Sequence, residues 1–125
     1  MATADLSNYK TLYLQTAKEY INKMSVSLDQ LLNDVSNKDA INNLHIASHS
    51  LKSQSQVMGF SNIANICLDI EKISDDAFKG EKPITNEIIA NIKSSIEETK
   101  KILNSPKETS LSGGGAVQDD TGVTA

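Results

Sequence analysis

A histidine and a lysine one helical turn apart, His49 and Lys52, are the residues of this sequence best suited to chemistry. They lie in the segment SHSLKSQSQVM, residues 48–58, which is rich in serine and glutamine and has few large side chains. On a helix, Leu51 and Met58 fall on one face and His49 falls nearly opposite to them. The spacing therefore predicts an exposed histidine on a helix, with a cation on the neighbouring turn.

Such a histidine can act as a nucleophile, because an imidazole is partly unprotonated at neutral pH. If the distal nitrogen of His49 accepts a phosphoryl group, Lys52 lies within reach to offset the added negative charge. Ser53, a small residue one turn beyond the histidine, would let the active site of a partner approach closely. An exposed histidine near a lysine is also common by chance, so a solvated surface is the alternative on these residues alone.

Other kinds of site find less support in the sequence. His45 and His49 have the i, i+4 spacing of a metal-binding pair, but no cysteine or third histidine accompanies them, so no metal site is predicted. The neighbouring serines lack an Asp–His arrangement of the hydrolase type, and the glycine run at 113–115 follows no strand and precedes no helix. We therefore expect this chain to bind no cofactor.

Composition excludes several classes of function. The formal net charge is −4 and no basic run occurs, which argues against a nucleic-acid partner. All 12 basic residues are lysine, so the chain cannot build the bidentate phosphate clamp that arginine provides. Cys67 is the only cysteine, which forms no internal disulfide and fits a reducing compartment. With no secretory signal and no apolar stretch of the roughly 20 residues that span a bilayer, we expect a cytoplasmic protein without membrane insertion.

Four amphipathic helices are predicted from apolar residues at steps of three and four. Their approximate bounds are Asp5 to Val35, Asp39 to Met58, Asn62 to Phe78, and from Thr85 to Leu103. The first apolar stripe is predicted to run from Leu6 through Tyr9 to Val35. Predicted N-caps are Ser36 or Asn37, Ser61 and Thr85, and Gly59 is the predicted end of the second helix.

Four such helices, joined by short connections, predict an all-α fold, an antiparallel up-down-up-down four-helix bundle over residues 1–104. Residues 105–125 have few large apolar side chains and a Gly-Gly-Gly run. This segment cannot bury enough surface to fold by itself, so it is predicted to be a disordered, flexible linker or tail.

The residues around the histidine resemble those of the histidine phosphotransfer (Hpt) domain family. That family has a histidine, leucine or isoleucine two positions on, lysine three on, a small residue four on and glycine ten on. The matching residues here are His49, Leu51, Lys52, Ser53 and Gly59, with Ser53 in place of the usual glycine. Within the family, residues 5–104 look most like the N-terminal phosphoacceptor domain of chemotaxis histidine kinases of the CheA type.

The resemblance implies roles for further residues of the site. In chemotaxis kinases a glutamate 22 positions after the phosphoacceptor hydrogen-bonds its proximal nitrogen, and here 49 + 22 = 71 is Glu71. Glu71 would hold the tautomer that leaves the distal nitrogen of His49 free to attack. His45, Ser53 and Gly59 would shape the site. The chemotaxis family often has a second histidine where this chain has Leu68, which implies a shorter hydrogen-bond network.

The resemblance also implies the partners. His49 would take a phosphoryl group from ATP through a separate histidine kinase catalytic domain, where ATP and Mg²⁺ bind, and pass it to an aspartate of a response-regulator receiver domain. The domain would then be a carrier that lacks a complete enzyme active site. Two alternatives stay open: a free-standing Hpt protein of a multistep phosphorelay, and a non-catalytic helical scaffold whose histidine is inert.

Overall fold

Four α-helices form the part of the chain that the computed structural model describes, which is the backbone of residues 2–104 and the side chains of residues 8–104. The helices are α1 (Ala2–Asn33), α2 (Lys38–Met58), α3 (Ser61–Phe78) and α4 (Asn86–Leu103). No strand occurs among these residues, so the predicted all-α class is confirmed. The predicted tail at 105–125 and the side chain of Leu6 lie outside the described residues.

The helices form a closed ring in which each packs against its two neighbours in chain order, with α1 and α4 completing the circle. Short connections at residues 34–37, 59–60 and 79–85 join them end to end. Lys38, at the start of α2, donates a 2.9 Å hydrogen bond from Nζ to the carbonyl oxygen of Phe78, at the end of α3. Successive helices therefore run in opposite directions, and the predicted up-down-up-down bundle is confirmed.

A single aliphatic core lies inside this ring. Each helix contributes residues at steps of three and four, among them Met24, Leu28 and Leu31 of α1, Leu44 and Leu51 of α2, Ile63 and Ile70 of α3, and Ile89, Ile92 and Ile96 of α4. Full burial of one such side chain stabilises the fold by about 1.5–3 kcal/mol. Among the described helices, none has both the length and the apolar character needed to cross a membrane.

The first helix ends earlier than predicted, at Asn33 and not at Val35. The Asp34 carboxylate accepts hydrogen bonds from the backbone N–H and the hydroxyl of Ser36, at 3.0 and 2.7 Å, and this local turn competes with a further helical turn. Asn37 then caps α2, since its side chain accepts a 3.1 Å hydrogen bond from the N–H of Ala40. Val35 is consequently exposed in the connection. Tyr9, near the other end of the predicted stripe, lies on α1 and is also exposed.

The start of α3 also differs from the prediction. Ser61 is the first helical residue and not the cap; the N-cap is Phe60, which makes no side-chain capping hydrogen bond. The buried ring of Phe60 stacks on Tyr13 with 4.9 Å between ring centroids, so packing fixes this end of the helix. The predicted Thr85 cap of α4 is confirmed by its 3.2 Å hydrogen bond from the N–H of Ile88.

Candidate functional site

The tight turn between α2 and α3 sets the two helices that carry the site against each other. Gly59 ends α2 with φ 84, a left-handed conformation that glycine adopts without the steric cost of a side chain. The next residue, Phe60, donates a 2.8 Å backbone hydrogen bond to the carbonyl of Ser55. The chain therefore reverses within two residues, and the middle of α3 comes to lie beside the middle of α2.

The middle of α2 carries His49, and Glu71 faces it from α3. The distance between His49 Nδ1 and Glu71 Oε2 is 2.8 Å. An ionised carboxylate only accepts hydrogen bonds, so Nδ1 carries the proton and donates it to Glu71. In the neutral ring this tautomer leaves a lone pair on Nε2, at the far side of an imidazole whose side chain is 55% exposed.

Glu71 is held by a second contact on its other oxygen. The ammonium of Lys52 lies 2.7 Å from Oε1 in an ion pair, although Oε1 has no hydrogen bond of regular geometry. Partial burial by itself would raise the pKa of Glu71, but the contacts with Lys52 and His49 outweigh it and hold the pKa below its ordinary value. Glu71 is therefore ionised at neutral pH, as its role as an acceptor requires.

Lys52 lies in a different place from the one expected of an exposed cation. Its side chain is only 18% exposed and is bound to Glu71, whereas the spacing predicted a cation within reach of a phosphoryl group on His49. His49 and Lys52 both contact the carboxylate of Glu71, so the three side chains are linked in the order His49, Glu71, Lys52.

The remaining predicted site residues surround His49 at different distances. Ser53 is half-buried one turn after it, and His45 is half-buried one turn before it. The rings of His45 and His49 are nearly parallel, at 10°, with 6.4 Å between their centroids. Gly59 acts on the site through the turn. Leu68, one turn before Glu71 on α3, is an exposed apolar residue.

The serines of α2 are not all the open polar surface that their number suggested. Ser48 and Ser55 are fully buried, and the hydroxyl of Ser55 forms a 2.6 Å hydrogen bond with that of Tyr13 on α1. Burial, partly opposed by this hydrogen bond, raises the pKa of Tyr13 to about 12. The signal was present in the sequence, because 48 and 55 each follow a buried leucine by four residues and so continue the apolar stripe of α2.

Cys67 lies in the core beneath the site, one turn before Glu71 on α3, and is 1% exposed. Burial, followed by the nearby charge of Glu71, raises the pKa of its thiol to about 12. A thiol held in this protonated state is unreactive, as its apolar neighbours in the sequence indicated.

A family model confirms the class of domain to which this geometry belongs. The Hpt domain model matches residues 8–102, so the chain belongs to the Hpt domain family. The solved structure of the CheA phosphotransferase domain from Thermotoga maritima is similar to this chain, with a TM-score of 0.76 and 26% sequence identity. The match covers 80% of this chain and 95% of that one.

Curated relatives are chemotaxis proteins of much greater length. Chemotaxis protein CheA of Bacillus subtilis (strain 168) is 21% identical over 121 residues, which is 97% of this chain and 17% of that protein. Chemotaxis protein CheA of Listeria monocytogenes is 23% identical over 83 residues, which is 66% of this chain and 13% of that protein. The domain is thus CheA-like, and it spans less than a fifth of the length of these relatives.

Proposed function

We propose that this domain carries a phosphoryl group on Nε2 of His49. The observation that carries the proposal is the 2.8 Å contact between His49 Nδ1 and Glu71, which fixes the proton on one nitrogen and leaves the other as an exposed nucleophile. A scaffold with an inert surface histidine has no need of a carboxylate that a lysine holds in its ionised form. Membership of the Hpt family supports the same function.

The proposed acceptance step forms one bond and breaks another. The lone pair of His49 Nε2 attacks the γ-phosphorus of ATP bound with Mg²⁺ on a histidine kinase catalytic domain, and the bond to the bridging oxygen of ADP breaks, with its electron pair leaving on ADP. The Nδ1 proton stays on the ring. Glu71 faces the positive charge that develops there, and this stabilises the transition state electrostatically.

The proposed second step returns the histidine to its first state. A carboxylate oxygen of an aspartate in a response-regulator receiver domain attacks the phosphorus, the N–P bond breaks, and its electron pair returns to His49 Nε2. The exposed ring and the half-buried Ser53 beside it leave room for a partner's active site. Throughout the cycle the domain is substrate and carrier, and the partners supply nucleotide, metal and receiver aspartate.

Similarity to CheA proteins favours a chemotaxis kinase as the source of the phosphoryl group. We infer a cytoplasmic location on the same ground. A free-standing Hpt protein of a multistep phosphorelay is the second candidate, and it would receive the group from a receiver aspartate. Incubation with each donor in turn separates the two, because a chemotaxis module accepts faster from a kinase catalytic core with ATP than from a phosphorylated receiver.

Phosphorylation of the full chain tests the proposal. We expect the catalytic core of a CheA-type kinase with [γ-³²P]ATP to label the wild type with an acid-labile, base-stable phosphate, and we expect His49→Gln to remain unlabelled. Gln56→Ala, at an exposed position on the same helix, is the control and should be labelled like the wild type. Equal labelling of His49→Gln would overturn the site, and a wild type that no kinase core or phosphorylated receiver labels would favour the scaffold.

A further inference from the structure

The half-buried ring of His45 has an unusual environment at one edge. Its Nδ1 atom is buried and has no hydrogen-bond partner. A proton on this nitrogen would leave a buried N–H group unpaired, which is rarer in proteins than an unpaired acceptor. The neutral ring therefore carries its proton on Nε2, at the opposite and accessible edge.

The two histidines consequently present opposite chemical characters to the same side of α2. His49 donates from Nδ1 to Glu71 and exposes a lone pair on Nε2, whereas His45 hides a lone pair and exposes an N–H donor on Nε2. Their rings lie side by side, 6.4 Å apart and within 10° of parallel. This separation leaves room for an oxygen of a group on one ring, or for a bridging water molecule, to reach the other.

A phosphoryl group on His49 would find no free cation among the site residues described above. Lys52 is bound to Glu71 and is largely covered, and the sequence contains no arginine. We propose that the Nε2–H group of His45 donates a hydrogen bond to the phosphoryl group on His49 and stabilises the phosphorylated domain. The inference rests on the proposed function of His49 and adds to it a second residue, His45, that binds the phosphoryl group.

The same pair fits a metal ion less well. His49 meets the requirement of a metal ligand, because a carboxylate accepts its Nδ1 proton and leaves Nε2 free. Ligation by His45 Nε2 would force that ring's proton onto Nδ1, where it has no acceptor. The second histidine thus favours a phosphoryl group, which needs a donor, over a metal ion, which needs a lone pair.

The proposed hydrogen bond from His45 forms only after phosphoryl transfer. Its loss therefore destabilises the phosphorylated domain and leaves the unphosphorylated domain unchanged. We expect His45→Phe, which keeps a ring but removes the donor, to lower the half-life of phosphohistidine and its equilibrium level with ATP and ADP by roughly two- to tenfold. His45→Gln, whose amide can donate, should lose less. Asn42→Ala, at an exposed position one turn earlier on α2, is the control and should match the wild type.

The experiment labels the full chain with a CheA-type kinase core and [γ-³²P]ATP, removes the kinase and follows the loss of label. In parallel, ¹⁵N-labelled protein reports the tautomer: we expect His45 to be protonated at Nε2, and this N–H signal to shift when the wild type is phosphorylated.

The results that would contradict the inference differ from those that would contradict the proposed function. Any of three results would overturn the inference alone. One is a wild type that is phosphorylated while the decay of label is unchanged in His45→Phe. The others are a proton carried on Nδ1 of His45, and saturable binding of Zn²⁺ that requires both histidines. A wild type that no donor phosphorylates would overturn the proposed function and the inference with it.

Discussion

At the scale of single residues, the site depends on one carboxylate with two partners. Glu71 binds the imidazole through Oε2 and the ammonium of Lys52 through Oε1, at 2.8 and 2.7 Å. The lysine keeps the glutamate ionised, and the ionised glutamate orients the ring. In the proposed function, Lys52 is therefore a positioning residue that acts on the unphosphorylated histidine through Glu71, in addition to any effect of its charge on a bound phosphoryl group.

Replacement of Glu71 by Gln tests this chain of contacts. The amide keeps the shape of the side chain but carries no charge to face the imidazolium, and a charge-assisted hydrogen bond of this kind contributes about 1.5–3 kcal/mol. We expect phosphoryl acceptance from a kinase core to slow by roughly 10–100-fold, with helicity by circular dichroism nearly unchanged.

The matched control for this substitution is Glu97→Gln. Glu97 lies on α4 with a side chain that is 66% exposed and pairs only with its helical neighbour Lys100 in the described structure. Acceptance by this variant should equal that of the wild type. If Glu71→Gln accepts the phosphoryl group as fast as the control, Glu71 has no part in the mechanism.

At the scale of helices, Tyr13 connects α1 to the turn that sets the site. Its hydroxyl bonds that of Ser55 near the end of α2, and its ring stacks on Phe60 at the start of α3. Tyr13 thus contacts both α2 and α3, the two helices that carry the site, near the turn that joins them. A polar pair inside an aliphatic core fixes the register of α1 more closely than apolar contacts alone would.

We expect Tyr13→Phe to destabilise the bundle by about 1–3 kcal/mol, because it leaves the buried hydroxyl of Ser55 without its partner. For a domain of this size that corresponds to a fall in Tm of roughly 4–8 °C per kcal/mol, which thermal unfolding followed by circular dichroism would detect. Tyr9→Phe removes a hydroxyl from an exposed ring of the same helix and should leave Tm unchanged. Equal Tm values for the two variants would contradict the role of the buried pair.

Helix positions followed from the sequence where apolar periodicity, glycine or a capping side chain marked them. Periodicity failed at Val35, since a residue with the right spacing lies beyond the local turn that Asp34 and Ser36 form. The capping rule failed at Ser61, because the stacking of Phe60 on a distant tyrosine is a tertiary contact that no local pattern records.

The candidate site, too, could be predicted from the sequence only in part. A helical wheel was sufficient to predict that His49 is exposed, because exposure follows from the position of one residue on its own helix. Its contact with Glu71 depends on how two helices pair, and only resemblance to a family gave that pairing in advance. The capture of Lys52 by Glu71 needed the structure, since both side chains could have reached other partners.

At the scale of the whole molecule, one core supports all four helices, and a buried phenol in that core makes the stability of the fold depend on alkaline pH. The phenol of Tyr13 has a pKa of about 12 in the folded protein against an ordinary value of 10.0. Its contribution to stability is therefore complete below pH 10 and is lost as the pH rises from 10 towards about 12.

We expect the urea midpoint of unfolding to fall over that alkaline range more steeply for the wild type than for Tyr13→Phe, which has no phenol to ionise at this position. Comparing the two proteins separates this effect from the titration of lysines, which both share. Parallel pH profiles for wild type and variant would contradict the assignment of the raised pKa to Tyr13.

His49, Lys52 and Glu71 all lie within the hairpin of α2 and α3, and the two residues of the contact between His49 and Glu71 are 22 positions apart in sequence. The connections at 34–37 and 79–85 lie outside that interval, so added residues there do not lengthen the path between the histidine and its carboxylate. Chain entropy makes such insertions inexpensive, since each doubling of a flexible loop costs only about 0.6 kcal/mol. Longer connections at these two positions leave the path between His49 and Glu71 unchanged, so we expect the domain to tolerate added segments there with its site intact.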